Sequence, residues 1–106
     1  MKVIITGSNK VKDMFTIQSA CFKAAKRWHD YIREVVIQKD DNIGKVAKEL
    51  AGFAEIPVKS FNTMQEMLDD ANGLLVICEE VTSEFRVLMK MAKKKGLSIY
   101  VFRRTS

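Results

Sequence analysis

The sequence predicts an α/β fold: one domain, residues 1–106, a three-layer α/β/α sandwich around a Rossmann-like, five-stranded and mostly parallel sheet. Apolar strand-like runs alternate with amphipathic helical stretches in the order β-α-β-α-β-α-β-α-β. Residues 74–78 are apolar throughout, which is typical of a parallel strand covered on both faces. Turns rather than long linkers separate these segments. The length of the chain suits a single hydrophobic core.

The first half of the chain predicts two strands, each followed by a helix. Residues 2–6 form a short apolar strand, and residues 34–38 form the second. Apolar residues recur every three or four positions over about residues 12–32, which predicts a long helix with one buried stripe. That stripe comprises Met14, Ile17, Cys21, Ala25, Trp28 and Ile32. After a polar turn at residues 39–42, a second helix has Ile43, Val46, Ala47, Leu50 and Ala51 on its inner face.

The third strand opens at residues 56–58, and a short helix follows it. Pro57 cannot donate a hydrogen bond to a neighbouring strand, so this strand is expected at a sheet edge. Asn62 is the predicted N-cap of the short helix, with Gln65 completing an approximate capping box. The inner face of this helix consists of Met64, Met67, Leu68 and Ala71.

The last helix is expected to begin at a cap on Thr82 or Ser83 and to end at Gly96, with the final strand over residues 97–102. Two strand orders fit this pattern, 3-2-1-4-5 and 2-1-3-4-5. We prefer 3-2-1-4-5 because it leaves the strand of Pro57 at an edge. Ligands bind beyond the carboxyl ends of such strands, where the strand order reverses, so the first and fourth strands should flank a cleft.

Composition limits the class of partner. The net charge is +5, with 29% charged and 47% hydrophobic residues. The lysines are expected to solvate helix faces, and those within residues 90–95 suit the C-terminal end of a helix, whereas only Arg103 and Arg104 suggest a phosphate clamp. We therefore expect at most weak, non-specific nucleic-acid binding. The longest apolar run is far short of a membrane span, and the N-terminus lacks a signal-peptide pattern, so we expect a cytoplasmic protein without membrane contact.

The sequence offers no catalytic residue, metal ligand or cofactor motif that we would assign. Cys21 and Cys78 lie among apolar residues and are expected to be small buried hydrophobes. His29 has no Cys or His partner at ligand spacing, so a zinc site is not expected. The turn at residues 39–44 is rich in Asp and Asn, which local backbone hydrogen bonding explains.

The first candidate binding loop is Gly7, Ser8 and Asn9, directly after the first strand. A glycine here lets the backbone approach a ligand closely, and the N–H groups of the next helix suit an anion. Alternatively, the turn between strand and helix requires glycine for its geometry alone. The sequence leaves both explanations open.

The second candidate loop follows the fourth strand and contributes Glu79, Glu80, Thr82, Ser83 and Glu84. Its hydroxyl groups can cap the helix and also contact a ligand. Its carboxylates would repel a phosphate but suit ribose hydroxyls or the amino groups of a base. Alternatively, the glutamates only interact with solvent, with Glu84 favourably placed in the first helical turn.

Residues 3–9 (VIITGSN) resemble the opening strand and G-S-R or G-G-R turn of small domains in the SLOG superfamily. This Rossmann-like group includes Smf-type DNA-processing proteins and the lonely-guy phosphoribohydrolases. Over the whole chain, residues 38–44 followed by 56–58 match the spacing of the family's G-D-A-x-G-V-D and I-P-V segments. Residues 74–78, 82–85 and 92–96 similarly follow its apolar strand, S-K-G-T turn and A-x-x-x-G helix end.

The chain also departs from this pattern. The G-D-A-x-G-V-D segment reads QKDDNIG, and the S-K-G-T turn reads TSEF without a glycine. The lonely-guy motif P-G-G-x-G-T-x-x-E is missing, and its glutamate position falls on Leu88. The resemblance implies the fold and the cleft position, a role as sensor or accessory factor, and a homodimer. It does not imply the family's phosphate chemistry.

We therefore expect a small ligand-binding domain for a nucleotide or a nucleotide-derived metabolite. One alternative is a hydrolase of nucleoside or nucleotide N-glycosidic bonds, with Glu79, Glu80 or Glu84 as its carboxylate. A second alternative is a nucleic-acid or protein interaction module that uses the basic surface.

Overall fold

The structure, a computed structural model, describes residues 1–104 and confirms the predicted architecture. The five strands of its sheet are all parallel and lie in the order β3-β2-β1-β4-β5. The described elements are β1 (Lys2–Gly7), α1 (Met14–Trp28), β2 (Glu34–Gln38), α2 (Asn42–Phe53), β3 (Val58–Phe61), α3 (Met64–Asp70), β4 (Gly73–Cys78), α4 (Ser83–Lys94) and β5 (Ser98–Arg103).

Strand β4 lies inside the sheet, between β1 and β5, and every one of its residues is buried. Its apolar side chains alternate between the two faces. Leu75 and Ile77 pack in the core beneath α1 and α2, whereas Leu74 and Val76 pack in the core beneath α3 and α4. Burial on both faces confirms the expectation drawn from the unbroken apolar run.

Helix α1 is shorter at both ends than the predicted span of residues 12–32. The Asp13 side chain caps its N-terminus by accepting a hydrogen bond from the backbone N–H of Phe15, at 3.1 Å. At the other end His29 adopts a left-handed conformation, φ 55°, which stops the helix. Ile32 still packs partly against the core, but from the connection to β2, which explains why it extended the helical pattern.

The N-cap of α3 is Thr63 rather than the predicted Asn62. The Thr63 hydroxyl accepts a hydrogen bond from the backbone N–H of Glu66, at 3.3 Å, and the Glu66 carboxylate accepts one from the N–H of Thr63, at 3.2 Å. This reciprocal capping box lies one residue later than the predicted one. The other prediction for this region is confirmed, because β3, which follows Pro57, is an edge strand.

The sequence placed Arg103 and Arg104 in the tail, where they suggested a phosphate clamp. Arg103 is the last residue of β5 and pairs with Cys78, and the backbone N–H of Arg104 donates to the Cys78 carbonyl, at 2.8 Å. Both arginines therefore continue the sheet. Thr105 and Ser106 lie outside the described residues. As predicted, Thr82 caps α4, and Gly96 follows its C-terminus with φ 81°.

No helix within residues 1–104 is long and apolar enough to cross a membrane.

Candidate functional site

A cleft of about 710 Å³ opens beyond the carboxyl ends of β1, β2 and β4. It lies where the strand order reverses, since the chain leaves β1 toward β2 on one side while β4 pairs with β1 on the other. Ligands of open α/β sheets bind at this position. Seven of the eight candidate binding residues line the cleft: Gly7, Ser8, Asn9, Glu79, Glu80, Thr82 and Glu84. The eighth, Ser83, is the first residue of α4 and is not among the described lining residues.

Packing inside the sheet requires glycine at position 7. A β-carbon at this position would lie 1.8 Å from the carbonyl oxygen of Ile77 and 2.7 Å from Cδ1 of Ile43. The next residue, Ser8, donates its backbone N–H to the same Ile77 carbonyl, at 2.9 Å. Of the two explanations that the sequence left open, the structure supports the geometric one for this glycine.

The loop after Gly7 turns back toward the core before α1 begins. The N–H of Val11 donates to the Ser8 carbonyl, at 3.1 Å, and the Val11 side chain is fully buried. At the start of α1, which the sequence suggested for anion binding, the backbone N–H of Phe15 donates to Asp13 instead. Hydrogen bonds from the Thr16 hydroxyl and the Phe15 N–H hold the pKa of this carboxyl below its ordinary value. Because this helix end has a carboxylate cap of its own, it is less suited to an anion than the sequence suggested.

Asp41 is the half-buried acid of the cleft. It is the N-cap residue of α2, and its Oδ2 accepts a hydrogen bond from the hydroxyl of Thr6, the penultimate residue of β1, at 3.2 Å. Burial raises the pKa of this carboxyl, while the hydrogen bond from Thr6 and the nearby backbone N–H of Ile43 act in the opposite direction. A desolvated carboxyl with a fixed partner inside a cleft is a candidate functional group.

The loop between β4 and α4 forms the opposite wall. Glu79, Glu80 and Glu84 are exposed, so they are free to meet a ligand or solvent. The Thr82 hydroxyl accepts a hydrogen bond from the backbone N–H of Phe85, at 3.4 Å. Because Thr82 caps the helix while lining the cleft, its hydroxyl has a structural role even without a ligand.

Helix α4 adds an apolar side to the cleft. Phe85, Val87, Leu88 and Met91 line it, and Met64 at the start of α3 joins them. Leu88 is buried against the sheet, but Val87 is 58% exposed and Met91 is 36% exposed. The cleft therefore combines a polar, acidic loop region with an uncovered apolar surface, a combination that is typical of small-molecule sites.

Neither cysteine is among the described lining residues of the cleft, and both have apolar surroundings. Burial raises the pKa of Cys21 to about 11, and burial also raises the pKa of Cys78 in spite of the nearby Arg103. Both thiols are therefore protonated at neutral pH. Among the residues that the structure describes, no three or more His, Cys, Asp or Glu side chains are grouped so that they could hold a metal ion.

Sequence reasoning missed two parts of the site. Asp41 was attributed to the turn before α2, although the preferred strand order already placed the loop after β2 beside the loop after β1. Val87 and Met91 belong to an amphipathic helix, and the sequence did not show that they would remain uncovered. Lys10, Gln38, Lys39 and Asp40 complete the lining.

Comparisons of the chain with protein-family models, with curated proteins and with solved structures find no match.

Proposed function

We propose that the chain is a small ligand-binding domain for a nucleotide or a nucleotide-derived metabolite, acting as a sensor or accessory factor. One observation carries the proposal: a cleft of about 710 Å³ at the point where the strand order of a parallel sheet reverses. Its volume falls within the range of roughly 300–1,000 Å³ that small-molecule sites occupy. The resemblance to the SLOG superfamily, and the homodimer it implies, remain predictions.

The lining supports a nucleoside-shaped ligand. Val87 and Met91 offer an uncovered apolar surface against which the flat face of a base can pack. The Thr6 hydroxyl and the Asp41 carboxylate lie at the ends of neighbouring elements, within hydrogen-bonding distance of each other. Carboxylates accept hydrogen bonds from the hydroxyls of a sugar and from the amino groups of a base.

Binding of nucleosides and nucleotides, followed by isothermal titration calorimetry, tests the proposal. The Val87→Ser/Met91→Ser variant removes the apolar surface and is expected to weaken binding at least about tenfold, since each buried methylene contributes about 0.8 kcal/mol. The matched control is Phe22→Ser/Phe53→Ser, because these side chains are 71% and 80% exposed and lie outside the cleft. Its affinity should equal that of the wild type. Equal losses in both variants would contradict the assignment of the cleft.

Hydrolysis of an N-glycosidic bond is the second candidate function, and Asp41 is the observation that favours it. A carboxyl whose pKa is raised by burial can donate or accept a proton nearer neutral pH than an exposed one. Chromatographic detection of free base after incubation with nucleosides and nucleotides tests this candidate. Release of base by the wild type that is lost in Asp41→Asn would assign an enzyme. Binding of a nucleoside or nucleotide without release of its base would leave ligand binding as the function and exclude hydrolysis.

The third candidate, a nucleic-acid or protein interaction module, has less support at this site. The Arg103 and Arg104 backbone continues the sheet and does not form a free tail. Weak, non-specific nucleic-acid binding by the basic surface remains a prediction. Its affinity should fall steeply as salt is added.

A further inference from the structure

The cleft has the opposite charge from the chain as a whole. The chain has a net charge of +5. Within the cleft, five carboxylates face two ammonium groups, a formal balance of −3. The carboxylates are Asp40, Asp41, Glu79, Glu80 and Glu84, and the ammonium groups are Lys10 and Lys39. From this contrast we infer that the cleft binds an uncharged or cationic, unphosphorylated nucleoside-like ligand and discriminates against phosphorylated forms; the inference rests on the function proposed above.

Within residues 1–104, no carboxylate of the cleft forms an ion pair. Ion pairs within the described residues involve Asp30, Glu34, Asp69 and Asp70, all of them outside the cleft. Four of the cleft carboxylates come from two separate loops, one after β2 and one after β4, and Glu84 lies in the first turn of α4, so negative charge lines the cleft on two sides. A phosphate group placed between these loops would meet negative charge on both.

The helix ends at the cleft, which attract phosphate in many α/β proteins, already have acidic side chains of their own. Asp41 is the N-cap residue of α2, and Glu84 lies in the first turn of α4. A carboxylate in this position interacts favourably with the positive end of the helix dipole and offsets the field that would attract a phosphate. The Thr82 hydroxyl also accepts a hydrogen bond from one of the free N–H groups of α4. These carboxylates make the described ends of α2 and α4 less attractive to a phosphate than helix ends without acidic side chains.

The carboxylates of the cleft favour ligands that donate hydrogen bonds. Ionised carboxylates only accept hydrogen bonds, so the ligand has to present hydroxyl, amino or ammonium groups to them. The Thr6 hydroxyl donates to Asp41 and thereby fixes the orientation of this carboxylate. Beside it, the apolar surface of α4 has no polar or charged group that would stabilise a charge on the ligand. A nucleoside satisfies both surfaces, whereas its 5′-phosphate adds a charge that neither surface stabilises.

The experiment compares the four common ribonucleosides with their 5′-monophosphates by calorimetry, at about 20 mM and about 500 mM salt. We expect the best nucleoside to bind at least about tenfold more tightly than its monophosphate at low salt, with the ratio shrinking at high salt because ions screen the repulsion. In Glu80→Gln/Glu84→Gln the ratio should shrink at low salt as well. The control Glu49→Gln/Glu55→Gln changes the net charge equally, but outside the cleft, and should keep the wild-type ratio.

The outcomes separate the inference from the proposed function. If a monophosphate binds as tightly as its nucleoside or more tightly, the ligand-binding function stands and the inference is overturned. A preference for nucleosides that neither salt nor Glu80→Gln/Glu84→Gln reduces would also overturn it, because the cause would then be steric. If no nucleoside and no nucleotide binds, the proposed function fails and the inference fails with it.

Discussion

Replacing Gly7 with alanine adds one methyl group at the junction of β1 and the cleft. In the wild type, an ideal β-carbon here would lie 1.8 Å from the carbonyl oxygen of Ile77, whereas real contacts of this kind begin at about 3.0 Å. The Ile77 carbonyl therefore has to move by at least about 1.2 Å, or β1 has to separate from β4. Either movement disturbs the centre of the sheet, because β4 is buried on both faces.

The expected loss follows from two contributions. Inserting a methyl group into a packed region costs about 1–3 kcal/mol. Moving the Ile77 carbonyl also weakens its 2.9 Å hydrogen bond with the backbone N–H of Ser8, and an unsatisfied buried group costs about 1–3 kcal/mol. We expect the free energy of unfolding to fall by about 3 kcal/mol in total.

Urea unfolding, followed by circular dichroism, measures this loss. With a slope of roughly 1–3 kcal/mol per molar urea, the midpoint should fall by about 1–3 M. Gly52→Ala is the matched control: Gly52 is exposed in α2, and a β-carbon there would meet no atom within 4 Å. This variant should gain about 0.5–1 kcal/mol, since alanine favours a helix over glycine. A Gly7→Ala protein as stable as the wild type would refute the packing explanation.

Three further substitutions test the fold and the acid of the cleft. Leu75→Ala should lower the free energy of unfolding by about 2–5 kcal/mol, because this side chain is fully buried, and a change below about 1 kcal/mol in urea unfolding would contradict the core assignment. Thr63→Ala should cost about 0.5–2 kcal/mol by removing the capping box of α3, whereas Asn62→Ala should leave urea unfolding almost unchanged. Burial raises the pKa of the Asp41 carboxyl above its ordinary value of 3.8, so the folded state keeps a proton that the unfolded state releases. The contribution of this carboxyl to stability is therefore present at low pH and is lost as the pH rises above 3.8. The stability of Asp41→Asn relative to the wild type should thus increase between about pH 3 and pH 7 in unfolding experiments. A stability difference that decreases as the pH rises would contradict this prediction.

The strand order could be predicted from the sequence because a few residues constrain it strongly. The apolar run from Leu74 to Cys78 had to be covered on both faces, and Pro57 pointed to an edge strand. Alternation of strands and helices, together with right-handed crossovers, left few other arrangements. The position of the cleft followed from this order.

Helix ends were harder to predict, because neighbouring residues compete for the same role. Asn62 and Thr63 are both good N-caps, each with a glutamine or glutamate three residues later, and the structure uses Thr63. In α1 the apolar repeat continued to Ile32, although His29 already ends the helix. Periodicity shows which residues face the core, but not whether they do so from a helix or from the loop after it.

The missed parts of the site depend on contacts between distant residues. Asp41 accepts a hydrogen bond from Thr6, which is 35 positions away in the chain, so its local turn pattern gave no indication of this partner. Val87 and Met91 repeat the apolar pattern of α4, and only the packing of α4 on the sheet determines that they remain uncovered. The charge of the cleft likewise emerges only when the loops after β1, β2 and β4 are brought together.

Titration of the ¹⁵N-labelled protein with the best-binding nucleoside, followed by NMR, tests the central claim most directly, since amide shifts report where a ligand binds. We predict saturable shifts at the end of β1 and in the loop that follows, from Thr6 to Lys10, and along residues 79–91, with much smaller shifts in α1. The 5′-monophosphate at the same concentration should cause weaker shifts of the same amides. Shifts confined to α1 and α2, or no saturable shift with any nucleoside or nucleotide, would contradict the account.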